Sequence, residues 1–128
     1  MFKTVTVNNQ LIKAKIADNV FTQSVGLMFK KALKKGEGML FVFKSEIKYP
    51  ILMGFWMLFT YIPLDIIWID KDYKVVDIAK NTIPWGTKNW LKILTKVYFS
   101  KKPFKYVLEV RAGFVVENNI EICNILKI

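Results

Sequence analysis

The side chain with most scope for chemistry in this sequence is Asp65, which sits in Leu64-Asp65-Ile66-Ile67-Trp68-Ile69, where every other position is apolar. A carboxylate withdrawn from water costs several kcal/mol unless backbone N–H groups or a cation hold it, or it takes up a proton. Thr60, Lys30 and Arg111 are the side chains available to it. With Lys30 or Thr60 beside it, Asp65 would serve as an acid or base. Bonded to backbone N–H groups of the turn before it, it would be part of the scaffold, as short acidic side chains commonly are, and this reading is preferred. Trp56, with Met57, Met28 and Met39, would line an apolar pocket or, more ordinarily, fill core. The ligand-binding candidates are therefore Lys30, Trp56, Thr60 and Asp65, with no catalytic residue and no metal ligand assigned.

Absences narrow the chemistry further. The 128 residues contain no histidine, which removes Ser-His-Asp and Cys-His catalysis, imidazole zinc sites and histidine-held haem. The single cysteine, Cys123, can form no internal disulfide, and a cytoplasmic setting is the default. No cofactor is expected. Asp70, Asp72 and Asp77 surround a turn without the spacing of a calcium loop, so they read as solvated.

Lysine and arginine number 20 against 10 acids, a net charge of +10, and every basic residue but Arg111 is lysine. Scattered ammonium groups attract polyanions weakly and in a salt-sensitive way, whereas specific phosphate or base reading favours the guanidinium fork. A solubilising surface is thus preferred to a nucleic-acid or anionic-lipid contact. Trp85 and Trp90, among Lys80, Lys88 and Lys92, are the best candidates for such a contact.

The uncharged run from Tyr49 to Leu64 is bracketed by Pro50 and Pro63 and is shorter than the ~20 residues a spanning helix needs, so no transmembrane span is expected. Met1 to Gln10 lacks the apolar core of an export signal.

The elements that must position these residues follow from the pattern. Phe2 to Val7, the turn Asn8-Asn9-Gln10 and Leu11 to Ala17, with Lys13 and Lys15 alternating against Ile12, Ala14 and Ile16, predict a hairpin with one wet face. Thr22 is expected to cap a helix to about Lys35, with Val25, Met28 or Phe29, and Leu33 inward. Met39 to Phe43 reads as a strand covered on both faces. Met53 to Met57, Leu64 to Asp70 and Lys74 to Lys80 read as a meander, Tyr106 to Val110 as a strand, Ala112 to Asn119 as a short helix or turn, and Glu121 to Lys127 as a last strand. Residues 84 to 104 show no clean periodicity beyond a helical turn near Trp90. The expected fold is one domain over 1–128, mainly β (β-rich α+β): a small closed or partly closed antiparallel β-barrel of seven to eight short strands with one or two short helices.

Three ordered blocks carry a family resemblance: Gly26-Leu27-Met28 with Lys30, Glu37-Gly38-Met39-Leu40-Phe41-Val42-Phe43, and Phe55-Trp56-Met57 with Thr60 and Ile62-Pro63-Leu64-Asp65. Tyr106-Val107-Leu108-Glu109 and Ala112-Gly113 follow in the same order. The chain resembles domain of unknown function family 192, whose pattern runs GLM-x-R, GMLF-x-F, FWM-K-N-T and IPLD. The resemblance implies a compact β-rich, barrel-like fold found in archaea and bacteria, and no defined activity. This chain departs from the pattern where the family has lysine and asparagine, carrying Leu58 and Phe59, and carries Lys30 for arginine, while a Gly-Asp pair common in the family is either replaced by Cys123-Asn124 or lost by a shift. Leu58 and Phe59 suggest a polar site traded for an apolar contact, a candidate self-association face. The function expected is a noncatalytic binding or interaction domain of unidentified ligand, with an Asp65-based enzyme and a weak polyanion binder as alternatives.

Overall fold

The computed structural model describes residues 1–28, 30–57, 59–85 and 96–128. The N-terminal hairpin is as the sequence predicts. Strands β1 (Phe2–Val7) and β2 (Gln10–Ala17) pair antiparallel through Asn8 and Asn9, whose φ values of 48° and 61° suit asparagine in a two-residue hairpin loop. Val5, Val7, Ile12 and Ala14 are buried, and Lys13 and Lys15 are exposed.

The next connection departs from the antiparallel pairing expected of the barrel. Strand β3 (Glu37–Ile47) runs parallel to β2, with Lys13 opposite Glu37 and Ala17 opposite Phe41. Parallel neighbours need a crossover of a dozen or more residues, and residues 18–36 supply it. Helix α1 covers only Val20–Val25, not the stretch to Lys35. Its N-cap is Asn19, which accepts the Thr22 N–H at 2.9 Å, while Thr22 completes a capping box. Gly26, at φ 52°, ends the helix. Beyond it, Lys30/Lys34 and Lys31/Lys35 would be like-charged pairs one turn apart, which disfavours continuation. Leu27 and Leu33 are nonetheless buried, and Phe29 lies outside the described residues.

After a 3-10 turn at Pro50–Leu52, β4 (Phe55–Trp56) pairs not with the following strand but with β7 (Val97–Tyr98), which corrects the three-strand meander. Its second half stands: β5 (Leu64–Ile69) pairs antiparallel with β6 (Val75–Ala79). Strand β8 (Phe104–Arg111) lies between β3 and β5, giving a mixed six-stranded sheet in the order β1-β2-β3-β8-β5-β6. The expected helical turn near Trp90 falls on residues 86–95, outside the described residues.

Both faces of the sheet are covered, so its central strands are apolar on both sides. On one face Leu40, Ile67, Leu108 and Val110 pack under Phe114, Val115 and Leu126. On the other, Phe41, Ile66, Trp68 and Val107 pack under Leu27, Leu33 and Met57. Each fully buried side chain of this size contributes about 1.5–3 kcal/mol.

The expected last strand is absent as a ladder. The C-terminal segment makes isolated bridges instead, Thr6 to Lys127 and Lys74 to Ile125, with further bonds from Val75 N–H to Asn124 O and from Cys123 N–H to Val75 O, each 2.8 Å. Both sheet edges thus meet one five-residue segment, which requires the sheet to roll. Among the described residues β1 and β6 do not pair, so the sheet is mixed and six-stranded with no closed barrel found, its two edges joined through the C-terminal segment. The short helix expected after β8 is α2 (Phe114–Glu117). Among the described residues no helix is long and apolar enough to cross a membrane.

Candidate functional site

Asp65 and Asn81 tie the ends of β5 and β6 together. The Leu64 N–H donates to Thr82 Oγ1 and the Thr82 N–H to Leu64 O, both at 2.9 Å, and next to this pair the Asn81 N–H donates to Asp65 Oδ1 at 3.0 Å. Asp65 Oδ2 accepts the N–H groups of Gly113 at 3.1 Å and Val115 at 3.0 Å. Gly113 caps α2 in a left-handed conformation and has no side chain to receive the helix's free N–H groups, so Asp65 performs that duty from 50 residues away. The donors belong to turns after β6 and β8 rather than to the turn before β5, and none of Lys30, Thr60 or Arg111 supplies a hydrogen bond to the carboxylate. Arg111 pairs instead with Glu117 at 3.2 Å.

Glu109 has opposite surroundings. It lies on β8, between β3 and β5, opposite Met39 of β3 and Ile66 of β5, and is 6 % exposed. Among the described residues its carboxyl makes no hydrogen bond or ion pair. Burial alone pushes its pKa from the ordinary 4.5 up to about 8. The side chain borders an open cavity of about 310 Å³ between α1, the segment Gly26-Leu27-Met28, the β3 face and residues 53–57. Phe41, Phe43, Phe55 and Trp56 contribute rings to its lining, and Thr60 and Gln23 the nearby polar groups. Phe41 and Phe55 meet edge to face at 5.4 Å, a geometry that fixes both rings.

Of the four candidates from the sequence, Trp56 and Thr60 border this cavity and the other two do not. Trp56 is half exposed at its rim, and Thr60 is buried. Asp65 points to the other side of the sheet. Lys30 borders a second cavity of about 370 Å³, across the Gly26-Leu27-Met28 segment, with Lys13, Lys15 and Glu37. Met57 borders the first cavity, Met39 the second and Met28 both. Trp85 packs edge-on against Phe59 at 5.5 Å, and Trp90 lies outside the described residues.

The same elements and blocks recur in known proteins. A family model described as Uncharacterized ACR, DUF192, matches residues 3–128. The chain belongs to the DUF192 family. A protein of unknown function from Novosphingobium aromaticivorans DSM 12444 superposes with a TM-score of 0.83 at 27% identity, covering 99% of this chain and 85% of that one. A "putative transcription regulator" from Sinorhizobium meliloti 1021 superposes with a TM-score of 0.82 at 24% identity, covering 99% of this chain and 93% of that one, which shows a shared fold. No curated protein matches the chain significantly. The family is one of unknown function, and neither it nor these structures defines a ligand or a reaction.

Glu109 is the residue the sequence reading passed over. Its signal was present in Tyr106-Val107-Leu108-Glu109-Val110, an acid inside an apolar run of the same kind as the one around Asp65. What the sequence did not show is that β8 sits between two other strands, with that acid bordering the cavity.

Proposed function

We propose that this DUF192 domain is a noncatalytic binding domain that takes a small, largely apolar molecule in the cavity between α1, β3 and residues 53–57. The observation carrying this reading is Glu109: a carboxyl at an apolar cavity wall, without a partner among the described residues. A polar group left unpaired at a buried site costs free energy, and a ligand that bonds to it recovers that cost. Apolar walls with a few polar groups are the usual make-up of small-molecule sites. Asp65 supports the noncatalytic side of the reading, because its oxygens are already committed to three backbone N–H groups.

Methionine methyl NMR with benzyl alcohol as the probe tests it. Met53 and Met57 border this cavity, while Met39 borders the other. Saturable shifts at Met53 and Met57 with Met1 and Met39 unmoved are expected. Absence of shifts, or equal shifts at all the methionines, would reject the reading.

A self-association face at Leu58 and Phe59 draws its support from Phe59, which is 37% exposed. Leu58 lies outside the described residues. A strictly monomeric protein in concentrated light-scattering samples would remove this second reading.

A further inference from the structure

In a chain with net charge +10, no lysine or arginine is among the described residues that border the Glu109 cavity, and Glu109 is the one charged side chain among them. The rings of Phe41, Phe43, Phe55 and Trp56 also border it, and an aromatic ring attracts a cation placed over its face. An anionic ligand would meet an acid with no cation among the described lining residues to compensate it, and a neutral ligand would leave the charge of the carboxylate unused. We propose that the cavity accepts a small organic cation, a protonated amine on an apolar body, with its ammonium group against the Glu109 carboxylate and its body among the rings. This rests on the binding reading above and names the ligand class.

The mechanism follows from the proton on Glu109. An empty cavity favours the neutral acid, and an arriving ammonium group favours the carboxylate, so binding releases a proton to solvent while Glu109 remains acidic in the free protein. The remaining charged groups on its face do not compete for this role. Arg111, two residues along β8, is turned to Glu117 at 3.2 Å, and Glu37, two residues before Met39 on β3, receives the Lys34 N–H at 3.4 Å. Lys13 and Lys15 of β2 border the second cavity, and Asp77 of β6 accepts the N–H groups of Ile78 and Lys101. The bordering side chains of α1, Val20, Gln23 and Ser24, are uncharged, as are Leu64 of β5 and Thr60.

Benzylamine and benzyl alcohol, matched in shape and different in charge, make the test. Followed by the Met53 and Met57 methyl signals, benzylamine is expected to bind at least tenfold more tightly than benzyl alcohol at pH 8.5. Below about pH 8 its affinity should fall close to tenfold per pH unit, while that of the alcohol changes little. Glu109→Gln should bring benzylamine down to the level of the alcohol and leave alcohol binding intact, which also shows that the variant is folded. If the variant does not fold, the two pH profiles of the wild type decide. Benzyl alcohol binding as tightly as benzylamine, or an amine affinity independent of pH, would overturn the cation inference and leave the binding reading standing. Failure of both probes to move Met53 and Met57 would overturn both.

Discussion

Asp65 and Glu109 occupy neighbouring rungs of the β5–β8 ladder, where Asp65 stands opposite Val110 and Ile66 opposite Glu109, and so they face opposite sides of one sheet. Both are buried acids in apolar runs, yet their surroundings differ completely. Asp65 accepts three backbone N–H groups and fastens the turns after β6 and β8 to the end of β5. Glu109 accepts none among the described residues and borders a cavity. One acid closes the scaffold, and the other is held open to a ligand.

Asp65→Asn should destabilise the fold by about 3 kcal/mol. Both carboxylate oxygens are acceptors here, whereas an amide would set its NH2 group against the donors on one side, and each bond to a charged group is worth about 1.5–3 kcal/mol. Urea denaturation of the two proteins checks this. A loss below about 0.5 kcal/mol would mean that the turns hold their geometry without Asp65.

Glu109 makes stability depend on pH in the direction opposite to a paired carboxylate. Below about pH 4.5 it is neutral in the folded and unfolded chains alike. Between 4.5 and about 8 the unfolded chain gives up this proton while the folded chain keeps it, so stability declines as pH rises and levels off above about 8. Against Glu109→Gln, which lacks the titration, the wild type should lose on the order of a few kcal/mol across that window. Urea midpoints of both proteins from pH 4.5 to 8.5 provide the measurement, and parallel profiles would contradict it.

Cys123 is exposed and sits at φ 77°, a conformation that suits glycine. Its N–H bond to Val75 O belongs to the bracket across the sheet edges and needs no side chain. Cys123→Gly should therefore raise stability by about 1 kcal/mol, read as a higher thermal midpoint. A lower midpoint would show that the thiol contributes packing that its exposure does not suggest.

Local pattern carried the fold as far as local pairing reaches. Asn8-Asn9, the two-faced run of Ile12 and Lys13, and Gly113 before Phe114 each encode their element within a few residues, and each stands in the structure as read. The errors concern partners distant in sequence. Phe55–Trp56 pairs with Val97–Tyr98, and β3 lies parallel to β2. Nothing in the spacing of apolar residues decides between neighbours, because burial on both faces removes the alternation that would mark an edge. The site was half legible for the same reason. Trp56 and Thr60, close in sequence, border the cavity together, whereas Lys30 and Asp65 diverge because the sheet stands between their surroundings. Glu109 became visible only when β8 was placed between β3 and β5.

The most direct measurement is the carboxyl 13C signal of Glu109, titrated with and without saturating benzylamine. The account requires a midpoint near pH 8 in the free protein, well above the ordinary 4.5, and a fall of at least one pH unit when the amine is bound. A midpoint near 4.5 in the free protein, or one that bound benzylamine leaves unmoved, would contradict it.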